Sequence, residues 1–149
     1  MKSLHRYPLF VVYGIVAMVI CQPCAAADAT TRTASQWLDN GALLSAYGNY
    51  DGAIKSYRKA LELTPDATDA MFQLGVCYGE VGMYDQAIQL ISQAIDRRPG
   101  VGAYYYGRGR VYLVAGNREE AMNDFMEAGV LGHQDARHFL ESQSGVTWE

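Results

Sequence analysis

Residues 34–67 read ASQWLDNGALLSAYGNYDGAIKSYRKALELTPDA, and residues 68–101 repeat the pattern as TDAMFQLGVCYGEVGMYDQAIQLISQAIDRRPGV. A third copy follows at residues 102–135, so the small residues of the pattern recur at an interval of 34 positions. Self-similarity at a constant period of this length is the sequence signature of a repeat architecture. Four columns hold only glycine or alanine: Gly41, Gly75 and Gly109; Gly48, Gly82 and Gly116; Ala53, Ala87 and Ala121; and Ala60, Ala94 and Ala128.

Each repeat is predicted to form a pair of helices. Apolar residues recur at helical spacing in two segments of about a dozen residues, and a glycine begins the break between the segments. In the second segment of the first repeat, this spacing places Ala53, Tyr57 and Ala60 on one face. Small residues such as Gly41 and Ala53 allow paired helices to approach closely. A single hairpin leaves one apolar face bare, so stacking three hairpins is needed to bury a continuous core.

On these columns the chain resembles the tetratricopeptide repeat (TPR) family. The resemblance implies an all-α fold, a right-handed superhelical α-solenoid of three TPR helix hairpins at residues 34–67, 68–101 and 102–135. Ala136, Phe139 and Leu140 form a short apolar stripe with helical spacing, which predicts a capping helix and tail at 136–149. The first repeat matches nearly every signature position: Trp37, Gly41, Leu44, Ala53, Tyr57, Ala60 and Pro65. The later repeats depart from the signature at Met71, Ile91 and His133.

The resemblance also implies which residues face a ligand, because the first helix of each TPR repeat lines the concave groove. A protein or peptide partner is expected there, bound by apolar anchors beside one cation, Arg110. Packing of Phe72 and Tyr106 on neighbouring helices is the alternative interpretation of those two rings. The predicted groove residues are Leu38, Phe72, Gln73, Val76, Tyr106, Arg110 and Leu113.

Several other functions are disfavoured by the sequence. The net charge of −4 argues against a nucleic-acid partner held by bulk positive charge. TPR domains that grip a C-terminal carboxylate use cationic and amide side chains, and the matching positions here carry no positive charge. No catalytic motif is present, and His133, Asp135 and His138 have a spacing that scatters them around a helix end. The chain is therefore expected to be no enzyme and to need no cofactor or metal.

The first 27 residues are predicted to be a secretory signal peptide. Lys2 and Arg6 precede an uncharged apolar run at residues 8–20, and Ala25 and Ala27 fit a small-x-small cleavage site. We therefore expect cleavage after Ala27, a short lead-in at 28–33, and export to the periplasm or cell envelope. The run is shorter than the roughly 20 residues that span a bilayer, so membrane attachment is expected only through an uncleaved or lipidated leader.

These features predict a protein-protein interaction adaptor of the cell envelope. Two alternatives keep the fold: a secretion-type chaperone that holds export substrates, and a structural subunit of a pilus or polysaccharide export assembly. The second would use the acidic stripe on the last repeat, which is otherwise predicted to be a solvated face. That stripe consists of Glu119, Glu120, Asp124 and Glu127.

Overall fold

The computed structural model describes residues 32–144, and every regular element in that range is an α-helix. The predicted all-α helical repeat fold is therefore confirmed. The predicted leader at residues 1–27 lies outside the described residues, as do residues 145–149. Within the described range, no helix is both long and apolar enough to cross a bilayer. The helices are α1 Ala34–Ala46, α2 Tyr50–Leu63, α3 Thr68–Glu80, α4 Tyr84–Arg97, α5 Gly102–Ala115, α6 Arg118–Val130 and α7 Gln134–Ser144.

The helices are arranged as three successive hairpins. Helices α1, α3 and α5 begin 34 residues apart, as do α2, α4 and α6. Each odd-numbered helix of the first six packs on the helix that follows it, and α7 packs on α6. The turns within the hairpins, and the turn before α7, need a left-handed residue that only glycine adopts without strain. The glycines at these turns, Gly48, Gly82, Gly116 and Gly132, have φ between +73° and +89°.

Side chains satisfy the free backbone amides at the start of the first hairpin. The Thr33 hydroxyl accepts a hydrogen bond from the Gln36 amide at 3.3 Å, and the Gln36 side-chain oxygen accepts from the Thr33 amide at 2.9 Å. Asn49 accepts from the Gly52 amide at 3.0 Å at the start of α2. Such caps satisfy amides that the helix itself cannot pair, and so they fix where α1 and α2 begin.

Glycines in the first helix of each hairpin let a bulky residue of the second helix lie directly on the backbone. A Cβ added at Gly41 would lie 2.6 Å from a ring carbon of Tyr57. The same atom at Gly75 would lie 2.6 Å from a buried isoleucine, and at Gly109 it would lie 2.9 Å from Phe125. This repeated contact explains the all-glycine column, because no larger residue fits without moving the helices apart.

The third hairpin contains a buried ion pair. Arg108 donates through Nε and Nη2 to the two carboxylate oxygens of Asp124, both at 2.8 Å, and through Nη1 to Ser92 Oγ at 2.8 Å. Its guanidinium also lies 5.8 Å from the ring centroids of Tyr105 and Tyr112. Asp124 is only 6% exposed. The prediction that Asp124 belongs to a solvated acidic stripe is therefore wrong, because its carboxylate points inward to pair with Arg108.

The two ends of the stack differ in how they are covered. At the C-terminal end, Ala136 and Leu140 of α7 are buried, and Arg137 donates to the Gly129 carbonyl at 2.8 Å. At the other end, Leu43 of α1 is 57% exposed. The equivalent residues of the next two repeats, Cys77 and Val111, are fully or almost fully buried, because a preceding hairpin packs on them. Within the described residues, α1 has no such neighbour.

Candidate peptide-binding groove

The groove face is the surface formed by α1, α3 and α5, and it contains two depressions. The first depression lies between α1 and α3 and has a volume of about 420 Å³. The second lies between α3 and α5 and has a volume of about 180 Å³. Leu38, Asp39, Ala42, Ser45, Ala46, Tyr57, Asp69 and Gln73 line the first depression. Val76, Gly79, Glu80, Tyr84, Gly107, Arg110, Val111 and Val114 line the second.

The structure divides the seven predicted groove residues between these depressions and the helix interfaces. Leu38 and Gln73 line the first depression together, although they come from different hairpins. Val76 and Arg110 meet at the second depression. Among these four, Gln73 and Arg110 are exposed, and Leu38 and Val76 are half-buried. The groove face therefore offers partly exposed apolar side chains beside polar ones, which is the usual composition of a small binding surface.

Phe72 of α3 packs against α5 and lines neither depression. Its ring centroid is 4.8 Å from that of Tyr104, and a Cβ added at Gly107 would lie 2.6 Å from its ring. Phe72 is half-buried, whereas Gly107 is buried. Gly107 nevertheless lines the second depression, and the Phe72 ring packs directly on its backbone. Phe72 thus both packs on the neighbouring helix and keeps part of its ring accessible.

Tyr106 and Leu113 lie in the third hairpin and line neither depression. The Tyr106 ring stacks on His133 with a centroid distance of 4.4 Å and lies 5.6 Å from Phe125. Leu113 packs against the same buried cluster, which includes Leu140 of α7. Both residues remain half-buried. The structure therefore places these two predicted groove residues against the cluster at the C-terminal end of the stack.

The charged residues of the groove face are largely paired with one another. Asp69 accepts hydrogen bonds from Arg98 Nη1 at 2.9 Å and from the Tyr104 hydroxyl at 2.5 Å. Burial, followed by the hydrogen bond from the Tyr104 hydroxyl to Asp69 and the charge of that carboxylate, raises the pKa of Tyr104 to about 12. Arg110 donates to Glu80 at 3.4 Å, and both side chains are partly exposed. Arg110, which the sequence suggested as the cation for a ligand, therefore already has an anionic neighbour.

Asp39 and Tyr84 are groove residues outside the predicted set. Both line a depression, Asp39 the first and Tyr84 the second. A sequence signal existed for Asp39, because it occupies the same repeat position as Gln73. No such signal marked Tyr84, because it begins the second helix of its hairpin and the family pattern assigns ligand contacts to first helices.

The described residues contain one cysteine and no candidate metal site. Between residues 32 and 143, no group of three histidine, cysteine or acidic side chains could hold a metal ion. Cys77 is fully buried, and its thiol donates to Ser45 Oγ at 3.9 Å. Burial raises the pKa of this thiol, which keeps it in the unreactive protonated form. Cys77 therefore acts as a small buried apolar residue.

A family model described as "Tetratricopeptide repeat" matches residues 44–107. The same helical pairs are found in the solved TPR protein YrrB, described as having an unusual peptide-binding site. The two structures superpose with a TM-score of 0.70, and their sequences are 25% identical. The match covers 75% of this chain and 59% of the YrrB chain. The chain is a TPR protein.

Curated relatives of this TPR protein are much longer than it is. Superkiller complex protein 3 of Mus musculus is 29% identical over 103 residues, covering 69% of this chain. The probable UDP-N-acetylglucosamine–peptide N-acetylglucosaminyltransferase SPINDLY of Hordeum vulgare is 32% identical over 83 residues, covering 52%. The chain spans only 6% and 9% of the lengths of these two relatives. The similarity therefore extends over the repeat region only. It does not extend to the activities of these relatives as whole proteins.

Proposed function

We propose that this TPR protein is a non-enzymatic adaptor that reversibly binds an extended peptide or protein segment along its groove face. The observation that carries the proposal is the pair of depressions on the groove face. The description of YrrB as having a peptide-binding site supports the choice of ligand class. A groove of three hairpins offers a small contact area, below about 1,200 Å² in total, which is typical of transient complexes.

The depression walls favour a peptide that is pinned by a few side chains. Ala42 and Ala46 are small and exposed, so the first depression is open to an entering side chain. Phe72 presents an aromatic surface that is already ordered by its contact with Tyr104. A preordered surface loses little conformational entropy on binding, so a short segment can be held by these contacts.

The test is to fill the first depression without disturbing the core. Ala42→Trp introduces a large ring at an exposed position that lines the depression, and Leu43→Trp is the matched control at an exposed position outside both depressions. We expect Ala42→Trp to abolish binding of peptides selected on the wild-type protein, and Leu43→Trp to bind them unchanged. Equal binding by both variants would show that this face is not the binding site.

We further propose that the protein is exported to the periplasm or cell envelope after cleavage following Ala27. The support is the sequence of the leader, with its basic start and apolar run at residues 8–20. N-terminal sequencing of the protein purified from fractionated cells tests this directly. A protein that begins at Asp28 in the envelope fraction supports export, whereas one that begins at Met1 in the cytoplasm supports the chaperone alternative.

The structural-subunit alternative makes a different prediction. It requires binding through the exposed acidic residues of α6. These are Glu119, Glu120 and Glu127, because Asp124 is buried. Reversing the charge of Glu119 and Glu120 would then abolish partner capture, and Ala42→Trp would have no effect. The opposite pattern supports the groove.

A further inference from the structure

We propose that the first depression selects a basic side chain, lysine or arginine, of the bound peptide, with Asp39 as its counter-ion. This inference rests on the proposed function, because it assigns the ligand class of the same groove. Three observations carry it: the balance of charges on the groove face, the shape of the first depression, and the position of Asp39 within it.

Only one charge on the groove face is left without an ionic neighbour in the part of the chain that the structure describes. Four charged residues line the two depressions. Asp69 pairs with Arg98 at 2.9 Å, and Glu80 pairs with Arg110 at 3.4 Å. Asp39 is exposed and has no such pair among residues 32–143. The uncompensated charge of the groove is therefore negative and lies in the first depression.

The shape of the first depression suits a long basic side chain better than a short or purely apolar one. Leu38, Ala42 and Ala46 form apolar walls next to the Asp39 carboxylate. Lysine and arginine bury their methylene stems against apolar surface while the charged end reaches a polar or ionic partner. The depression, at about 420 Å³, has room for such a stem together with the flanking peptide backbone.

Other side chains fit this site less well. A peptide carboxylate would be placed beside Asp39, and like charges at short range repel each other. A purely apolar side chain would remove water from the Asp39 carboxylate without replacing its hydrogen bonds, which is unfavourable. Gln73 and Ser45 add neutral polar groups to the wall, and neither supplies a positive charge to offset Asp39.

The experiment uses a library of random 12-residue peptides displayed on phage and selected on the purified, immobilised protein. We expect the enriched peptides to share a lysine or arginine at one fixed position. An enriched peptide is then synthesised with its basic residue, with methionine in its place, and with glutamate in its place. Fluorescence anisotropy is expected to show about 2- to 5-fold weaker binding for methionine, as for a partly exposed ion pair, and still weaker binding for glutamate.

Charge reversal in the protein provides the matched control. Asp39→Lys is expected to invert the preference, so that the glutamate peptide binds better than the lysine peptide. Asp96→Lys makes the same change of charge at an exposed position on α4 outside both depressions, and it should preserve the wild-type preference. The preference of the wild type should also decrease as salt is raised from low to physiological concentration, because partly exposed pairs are screened.

The outcomes separate this inference from the proposed function. Selected peptides that lack a conserved basic residue but are excluded by Ala42→Trp would overturn the assignment of Asp39 and leave peptide binding in place. An unchanged lysine preference in Asp39→Lys would also overturn it. If no selected peptide is excluded by Ala42→Trp, the groove itself is not the binding site and both proposals fail.

Discussion

The ion pair between Arg108 and Asp124 gives the sharpest test of how the third hairpin is held together. Replacing Asp124 with leucine leaves the guanidinium of Arg108 partly buried, since the two side chains are 20% and 8% exposed. Removing one partner of a buried ion pair lowers the free energy of unfolding by about 3–5 kcal/mol. Because Arg108 keeps some exposure to solvent, we expect a loss of about 3 kcal/mol.

The second repeat supplies the compensating substitution. The positions equivalent to Arg108 and Asp124 are Leu74 and Leu90 there, and these two leucines belong to one apolar cluster. We therefore expect the double variant Arg108→Leu/Asp124→Leu to recover most of the loss, to within about 1 kcal/mol of wild type, because no unpaired charge remains. The coupling between the two substitutions would then be about 2 kcal/mol or more.

The assay is urea denaturation followed by far-ultraviolet circular dichroism for wild type, both single variants and the double variant. The free energies of unfolding form a double-mutant cycle, and comparable urea dependence across the four proteins shows that the same transition is measured. A double variant that loses the sum of the two single losses would refute the reasoning. It would mean that each side chain stabilises the hairpin independently of the other.

Three further predictions concern stability. Gly75→Ala should destabilise by about 1–3 kcal/mol because its Cβ would lie 2.6 Å from a buried isoleucine, whereas Gly100→Ala, with nothing within 4 Å, should change the unfolding free energy by less than about 0.5 kcal/mol. Burial raises the pKa of Tyr57 to about 12 from 10.0, so its protonated form is favoured in the folded state. The contribution of Tyr57 to stability should therefore be constant below pH 10 and be lost between pH 10 and 12, so Tyr57→Phe should reduce the fall in stability over that range in pH-dependent urea titrations. Leu140→Ala should lower the free energy of unfolding by about 2–5 kcal/mol in the same urea assay, because it removes the buried side chain that anchors α7. Leu43→Ala, at an exposed position, is the control and should cause a much smaller loss. Equally small losses in both variants would contradict this.

The sequence predicted the fold through residues whose roles are local or repeated. Gly48 and its counterparts mark the turns because only glycine tolerates the left-handed conformation found there. Gly41 and its counterparts mark the closest helix contacts, where Tyr57 and its equivalents lie on the backbone. A feature that recurs three times at one spacing can be read from a single sequence, because each copy confirms the others.

The predicted groove residues divide in the structure between the two depressions and the helix interfaces. Leu38, Gln73, Val76 and Arg110 line the two depressions, whereas Tyr106 stacks on His133 and lines neither. The first-helix position of Tyr106 is equivalent to that of Phe72, yet the two rings have different neighbours. Phe72 contacts Tyr104 and Gly107 of the following helix α5, whereas Tyr106 contacts His133, which precedes α7, and Phe125 of its own hairpin.

The sequence by itself determined the period, the helical pairs and the close contacts between them, since these follow from side-chain size and backbone freedom at fixed spacing. Only the tertiary structure decided how the charges are paired. Asp124 reads as one of several surface acids until α5 brings Arg108 to it, and Arg110 reads as a free cation until α3 brings Glu80 to it. Electrostatic partners lie 16 and 30 residues apart in these pairs, and their distances depend on how helices stack, which no local pattern encodes.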